Sequence, residues 1–316
     1  MTPSPDRPGG WTFGQAIVLV VAAALLSPVS PIVLVTLPVA VFLLAYRPRS
    51  TLSLALAALL LVGVFGGVAV ERTPLWYAER AWTLIIAGGF VGFGLIDRDS
   101  RTLSRSMGAL AVAMLFFAVG GMVYPDLLAE LDWSVRGQLE RAALSAYQLL
   151  AGGGTAWVGV AEALEDVLGI QQTIYPALLG LSSMAALAVG WYVLERLSGV
   201  AASLAPFREF RFADQLVWLL VAGLVLFLLP LPELASRLGE NAMAFMGGLY
   251  LLRGAAILLW LGAALATSAW VGLAWALIAL LLYPIAAGAA LVMGLSDTWL
   301  DLRGRMAAAP EDGEGA

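Results

Sequence analysis

Residues 205–214 read APFREFRFAD, a charged and aromatic stretch between two long apolar runs. We call this stretch the island. Six apolar segments precede it and about three follow it, so we expect it to separate two membrane blocks. Any coupling of the two blocks on that side of the bilayer is expected to pass through or beside the island.

Composition places the chain in the membrane class. Apolar residues make up 61% of the 316 residues and only 12% are charged, a balance that no single soluble core absorbs at this length. We predict an all-α, polytopic transmembrane helical bundle with eight to nine membrane segments.

Several residue types are missing. The chain has no cysteine and no histidine, and the printed sequence shows no lysine, so its 17 basic residues are all arginine. This excludes disulfides and thiolate metal sites, and it removes the commonest general base and the Schiff-base nucleophile. We therefore expect no enzyme and no cofactor, and the net charge of −5 argues against a nucleic-acid partner.

Arginine clusters recur after every second predicted segment. By the positive-inside rule, the loops that carry them and the N-terminus face the cytoplasm. We predict a cytoplasmic tail at 1–14, a six-segment block at 15–196, a cytoplasmic linker at 197–215, a second block at 216–295 and a polar tail at 296–316. The clusters are Arg47 and Arg49, then Arg98, Arg101 and Arg105, then Arg196, Arg208 and Arg211.

The loop at 125–172 is acidic and carries apolar residues at helical spacing. They fall in two runs, separated by Gly152, Gly153 and Gly154. Such spacing is typical of amphipathic helices. We predict two of them on the outer surface of the bundle, and the alternative is a lid over an outward-facing cavity.

The ninth segment conflicts with the charge rule. Nine full crossings from a cytoplasmic N-terminus put Arg303 and Arg305 outside. Either the ninth run is two short helices broken at Pro284, or the eighth segment is not a full crossing.

Arg253 lies near the middle of the eighth predicted segment, 242–264. A charge at mid-bilayer costs at least about 2.5 kcal/mol, so we expect Arg253 to face the bundle interior with a partner. There it is predicted to bind an anionic substrate, together with Tyr250 and Asn241. Alternatively, the helix begins near Gly247 and Arg253 snorkels to the interface.

The island has two interpretations. Phe207 and Phe210 are three residues apart, as are Arg208 and Arg211, so a helical turn gives adjacent aromatic and basic stripes. These stripes fit an interfacial anchor on anionic lipid. They also fit a coupling helix that binds a cytoplasmic or membrane protein partner. Asp214 is predicted to cap the next helix.

Asp297 and Asp301 are four residues apart, which on one helix puts both carboxylates on one face. Two such carboxylates can hold one Mg²⁺ with a substrate phosphate, so they are weak metal candidates. The alternative is an ordinary surface ion pair between Asp301 and Arg305.

Two glycine pairs have the small-xxx-small spacing that lets membrane helices approach closely. We predict packing contacts at both of them. The pairs are Gly63 with Gly67 and Gly88 with Gly92.

Three stretches in order carry a family resemblance: 206–210, 249–255 and 294–303. With them the chain resembles the YybS-like family of predicted bacterial membrane proteins, over nearly its whole length. That family is distantly similar to the substrate-binding components of energy-coupling-factor transporters and to the rod-shape protein MreD. The resemblance implies the bacterial inner membrane and a six-helix core extended by three helices. No activity is attached to the family's domain.

Two functions fit these features. The first is a substrate-binding or transport component for a small solute or lipid-linked precursor, which binds it near Arg253 and contacts a partner through the island. The second is a non-enzymatic scaffold of the cell-envelope or division machinery.

Overall fold

The described part of the chain is helical. The computed structural model describes residues 13–27, 33–45, 51–66, 73–96, 102–124, 126–150, 158–198, 206–265 and 268–307. The predictions made for residues 1–12, for linker residues 199–205 and for tail residues 308–316 lie outside these ranges. The chain divides into two compact units, Met1–Leu204 and Ala205–Ala316.

Seven helices belong to the described residues of the first unit. Helix α2 lies at its centre, since it contacts α1, α4 and α7 and is buried on most of its surface, from Val33 to Phe42. A helix that is buried on most of its surface needs no polar face. The seven are α1 (Phe13–Leu26), α2 (Val33–Ala45), α3 (Thr51–Phe65), α4 (Pro74–Ile96), α5 (Thr102–Val123), α6 (Asp126–Leu150) and α7 (Val158–Leu197).

Arg80 of α4 joins the ends of α1 and α3. Its Nη2 donates to the carbonyl of Ser27 at 2.5 Å and its Nε to the carbonyl of Val64 at 3.0 Å. These carbonyls lie at the C-terminal ends of the two helices, where no following turn supplies a backbone N–H to bond them. The guanidinium also lies 3.7 Å from the centre of the Trp76 ring. Arg80 therefore caps two helix C-termini, where a positive charge is favourable.

The loop predicted at 125–172 is helical but is divided differently than expected. The first amphipathic run is α6, and its apolar face is buried at Val135. The second run is not a separate helix, because α7 continues through Gly169 to Leu197. A single glycine weakens a helix by only about 1 kcal/mol, too little to end one that continues into an apolar run.

The second unit contains five further described helices and two short 3₁₀ turns. The turns cover Phe207–Glu209 and Asp214–Leu216. Helix α9 is central and contacts α8 and α11. The helices are α8 (Val217–Leu228), α9 (Glu233–Leu265), α10 (Ala269–Leu281), α11 (Tyr283–Leu300) and α12 (Leu302–Ala307).

Helices α8 and α11 lie along different halves of α9. Gly223 of α8 packs on the backbone of Gly239, near the start of α9. Farther along α9, Gly254 packs on the backbone of α11 at Ala290, and Gly294 packs on the backbone at Tyr250. The island, which precedes α8, and the end of α11 therefore meet beside the middle of α9.

These close approaches need glycine. A Cβ added at Gly254 or at Gly294 would collide with the facing backbone. The glycine pairs predicted from spacing behave otherwise: Gly63 packs on Ala24, whereas nothing lies within 4 Å of a Cβ at Gly88 or Gly92. The predicted packing contact of the second pair within the described chain is wrong, because these glycines face away from the neighbouring helices. Gly67 lies outside the described residues.

Four of the described helices are long and apolar enough to cross a membrane. They are α4, α5, Glu165–Leu197 within α7 and Glu233–Gly262 within α9, and a fifth span results if α10 and α11 count as one broken crossing. Helices α1, α2, α3 and α8 are apolar but shorter. The all-helical membrane class is confirmed, whereas eight to nine crossings are not and stay a prediction.

The predicted break at Pro284 is confirmed. Helices α10 and α11 form a bend of 100°, and Pro284 lies in the first turn of α11, where its missing N–H does no harm. A straight ninth crossing would put Arg303 on the side opposite the island. Instead Arg303 donates to the carbonyls of Arg208 and Phe210, so a single straight ninth crossing is wrong.

We expect Gly294→Ala to destabilise the second unit strongly, because its Cβ would meet the carbonyl oxygen of Tyr250. The melting temperature in detergent measures this. Gly288→Ala on the same helix is the matched control, since no part of the chain that the structure describes lies within 4 Å of a Cβ there. An equal melting temperature for both variants would contradict the close crossing.

Candidate functional site

Arg253 is buried where three segments of the second unit meet. Its Nε donates to Asp297 Oδ2 at 2.9 Å and its Nη1 to Asp214 Oδ1 at 2.7 Å. Its Nη2 donates to the backbone carbonyl of Asp297 at 3.2 Å. Only 3% of Arg253 is exposed. The prediction of a buried charge with a partner is confirmed, and the snorkelling alternative is wrong.

Helix geometry brings Arg253 to these partners. Side chains on a helix lean toward its N-terminus, and α11 runs antiparallel to the second half of α9. Arg253 therefore leans along α9 toward the last turn of α11, where Asp297 lies. Its bond to the Asp297 carbonyl adds a second donor there, since that carbonyl also accepts from the backbone N–H of Asp301 at 3.2 Å.

Asp297 is the most enclosed member of the group. Its side chain is 0% exposed, and Oδ2 also accepts from Arg303 Nη2 at 3.3 Å. Its Oδ1 accepts from the Leu302 backbone N–H at 3.0 Å. Two guanidiniums and one amide thus neutralise the buried carboxylate. We call Asp214, Arg253, Asp297 and Arg303 the arginine cluster.

Arg303 attaches the island to the cluster. Its Nη1 donates to the carbonyl of Arg208 at 3.0 Å and its Nη2 to the carbonyl of Phe210 at 3.1 Å. Burial lowers the pKa of Arg303, Arg211 lowers it further, and Asp297 raises it. Arginine stays protonated at physiological pH, so we expect the guanidinium charges of the cluster not to switch with pH.

Phe212 covers two of the three predicted ligand-binding residues on α9. Its ring lies 5.1 Å from the ring of Tyr250, edge to face, and 5.3 Å from Arg253 Cζ. Tyr250 is 1% exposed. Within the described residues, its buried hydroxyl has no hydrogen-bond partner, which is costly for a polar group.

Asp214 connects the cluster to the surface. Its side chain is 60% exposed, while that of Arg253 is 3% exposed. The predicted N-cap role is wrong, because Asp214 opens a 3₁₀ turn, and no side-chain cap bond is made at the start of that turn or of α8. Its carboxylate binds Arg253 instead.

Asp301 does not share a helix face with Asp297. It ends α11 in the left-handed conformation, with φ 41°, which turns the chain away from the helix axis. Its carboxylate accepts from Arg211 Nη2 at 2.9 Å, whereas the alternative had paired it with Arg305. Both carboxylates thus bind arginine, and the described residues contain no group of three acidic side chains placed to hold a metal ion.

The described part of the island, 206–214, contains one 3₁₀ turn at Phe207–Glu209 and ends at Asp214, which opens a second. The rings of Phe207 and Phe210 stack with their centres 6.0 Å apart, as the three-residue spacing predicts. The two basic side chains of the island, Arg208 and Arg211, are 56% and 42% exposed. A partner or lipid role for these four side chains stays a prediction.

Asn241 is not part of the cluster. Its side-chain amide donates to the carbonyl of Arg237, one turn earlier in α9. Twelve residues separate it from Arg253, which is about 18 Å along a helix. Asn241 and Arg253 therefore do not form one ligand site.

A separate open groove lies between α6 and α7 in the first unit. Its volume is about 440 Å³. Arg136 donates to Glu140 at 2.8 Å there, and both side chains are about half exposed. Such exposed pairs add little stability. The lining residues are Arg136, Leu139, Glu140, Glu165, Leu168, Gly169 and Gln172.

A family model described as "Predicted membrane protein (DUF2232)" matches residues 15–298. The chain belongs to this family. The part of this DUF2232 protein that matches contains Asp214, Arg253 and Asp297 and ends before Asp301 and Arg303. No curated protein and no solved structure matches the chain.

The stretches 206–210, 249–255 and 294–303 meet in this DUF2232 structure. Arg253 comes from 249–255, Asp297 and Arg303 from 294–303, and the carbonyls that bind Arg303 from 206–210. Sequence reasoning missed Asp214 and Arg303 as members of the cluster. The available signal was that each is a charged residue beside a long apolar run.

We expect Asp297→Asn to destabilise the protein by about 3–5 kcal/mol, because two buried guanidiniums lose their shared counter-charge. Asp301→Asn, which breaks an exposed pair, is expected to cost less than about 1 kcal/mol. Denaturant unfolding in detergent measures both. Similar stability losses in the two variants would contradict the buried cluster.

Proposed function

We propose that this DUF2232 protein is a non-enzymatic binding component of the bacterial inner membrane. It takes a small anionic solute, or the anionic head of a lipid-linked precursor, for transport. The likeness to YybS-like proteins, and the more distant one to energy-coupling-factor substrate components and MreD, forms part of this proposal.

One observation carries the proposal. Arg253 is buried within a membrane-type helix, yet one of its two carboxylate partners, Asp214, is 60% exposed. Charged residues inside membrane segments are costly and are typical of substrate and ion pathways. A guanidinium that reaches the surface through an exchangeable partner supports the binding of an anion.

The island supports contact with a second protein. Phe207 is 45% exposed beside the partly exposed Arg208, and the bonds from Arg303 hold the backbone of this turn in place. A rigid aromatic and basic surface is favourable for protein contact. The proposed partner is a cytoplasmic ATPase of a transporter.

A scaffold of the envelope or division machinery is the second candidate. Gly88 and Gly92 lie one turn apart on α4, and no atom of the described residues lies within 4 Å of a Cβ at either position. Such an open small-residue face suits contact with another membrane helix. A scaffold would use this face and would bind no ligand.

Native mass spectrometry of the protein extracted from its own membrane separates the two candidates. For the binding component, we expect a stoichiometric small anion or precursor, together with an ATPase. Arg253→Leu should lose the ligand, and Arg253→Lys, which keeps the charge, serves as a second variant if the first misfolds. Asn241→Ala is the control and should keep the ligand, because Asn241 lies outside the cluster.

Two results would decide against the binding component. One is an empty protein that co-purifies with envelope or division proteins, which favours the scaffold. The other is a ligand that stays bound at full occupancy in both folded Arg253 variants.

The proposed topology has a direct test, since the chain contains no cysteine. We expect single cysteines at Ser104 and Phe207 to react with a membrane-impermeant maleimide only after lysis of spheroplasts. A cysteine at Trp133, which is 78% exposed on α6 in the predicted external region, should react in intact spheroplasts. Labelling of Ser104→Cys or Phe207→Cys in intact spheroplasts would overturn the assignment.

A further inference from the structure

We propose that residues 211–214 are a lid over an oxyanion-binding site on α9, and that the Asp214 carboxylate occupies the position of the ligand's anionic group. The inference rests on the proposed function, because it takes Arg253 as the group that binds the ligand. It adds the ligand class, the residue that competes with it and the part of the chain that moves.

The two carboxylate partners of Arg253 differ in how easily they leave. Asp297 is 0% exposed and also holds Arg303 and the Leu302 amide, so its loss would remove the carboxylate that two buried guanidiniums share. Asp214 is 60% exposed, so water can hydrate its carboxylate when the bond to Arg253 breaks. An incoming oxyanion therefore replaces Asp214 and leaves Asp297 in place.

The departure of Asp214 frees donors of the right kind. Arg253 Nη1 loses its acceptor, which was 2.7 Å away. Tyr250 lies one turn earlier on the same face of α9, and its buried hydroxyl has no partner among the described residues. A guanidinium N–H and a hydroxyl from positions one turn apart on one helix face suit a carboxylate or phosphate oxygen.

Phe212 is the cover that must move. Its ring lies over both Tyr250 and Arg253, at 5.1 Å and 5.3 Å, and only 6% of Phe212 is exposed. Phe212 lies two residues before Asp214, which opens the second 3₁₀ turn. One displacement of residues 211–214 removes the competing carboxylate and uncovers both donors.

The bonds that Arg303 makes to the island limit the opening movement to the last residues of the island. Arg303 holds the carbonyls of Arg208 and Phe210 from a buried position. Beyond them, the side-chain attachments at the edge are the exposed pair of Arg211 with Asp301 and the bond of Asp214 to Arg253. The first of these pairs is exposed on both sides and therefore weak, and Asp214 is exposed at its end of the second, so residues 211–214 open while 206–210 stay bound.

The test compares Asp214→Asn with the native chain, using inorganic phosphate as the probe and calorimetry in detergent to obtain Kd. Removal of the internal competitor is expected to tighten phosphate binding about five- to tenfold. Asp301→Asn is the matched control, because it loosens the lid without freeing Arg253, and its Kd should stay near the native value. If Asp214→Asn melts early, Asp214→Ser replaces it.

The source of the oxyanion is resolved in nanodiscs. Amide hydrogen exchange of residues 211–214 is followed in phosphatidylcholine discs with and without phosphatidylglycerol. Faster exchange caused by added phosphate in plain discs supports a soluble ligand. Faster exchange that requires phosphatidylglycerol supports a lipid headgroup.

Two outcomes would overturn the inference. In the first, Asp214→Asn gives no tighter phosphate binding and no change of exchange in either kind of disc. In the second, Asp301→Asn tightens binding as much as Asp214→Asn does, which would assign the gain to loosening alone. Neither outcome bears on whether the native protein carries a ligand from its own membrane, so the failure of the proposed function is recognised separately.

Discussion

Each carbonyl at the end of an apolar helix must find a hydrogen-bond donor where water is scarce. In this protein three buried arginines meet much of that demand. Arg80 satisfies the ends of α1 and α3, and Arg303 satisfies two carbonyls of the island. Arg253 adds a second donor to the Asp297 carbonyl in the last turn of α11. The guanidinium suits this task, because it offers five donors in a rigid plane and never loses its charge. Short apolar helices can therefore end inside a packed unit.

The same constraint explains how much the sequence predicts. Apolar runs and proline locate most helices, including the break at Pro284, because both signals are local. The cost of a buried charge predicts that Arg253 has a partner. It does not predict which one, since Asp297 and Asp214 are 44 and 39 residues away along the chain. The capping role of Arg80 was not predicted either. Its acceptors are backbone carbonyls, which every residue has, so no residue type indicates them.

Glycine spacing shows the same limit. Gly88 and Gly92 have the pattern of a helix contact, yet nothing in the described chain lies against them. Gly254 and Gly294 lie on different helices, so no spacing relates them, and they form the closest helix crossing of the second unit. Local pattern predicts which helices can approach a neighbour. Which of them do so depends on the fold of the rest of the unit.

Helix α7 has a mechanical consequence. Its 40 residues extend about 60 Å as one helix, whereas the hydrocarbon core of a bilayer is about 30 Å thick. A large part of α7 must therefore stand outside the membrane as a continuation of the part within it. Helix α6 and the groove beside it are attached to the outer part of this rod. A force or a binding event at the groove would then reach the transmembrane portion along one continuous helix, in which Pro176 is the place where bending is expected.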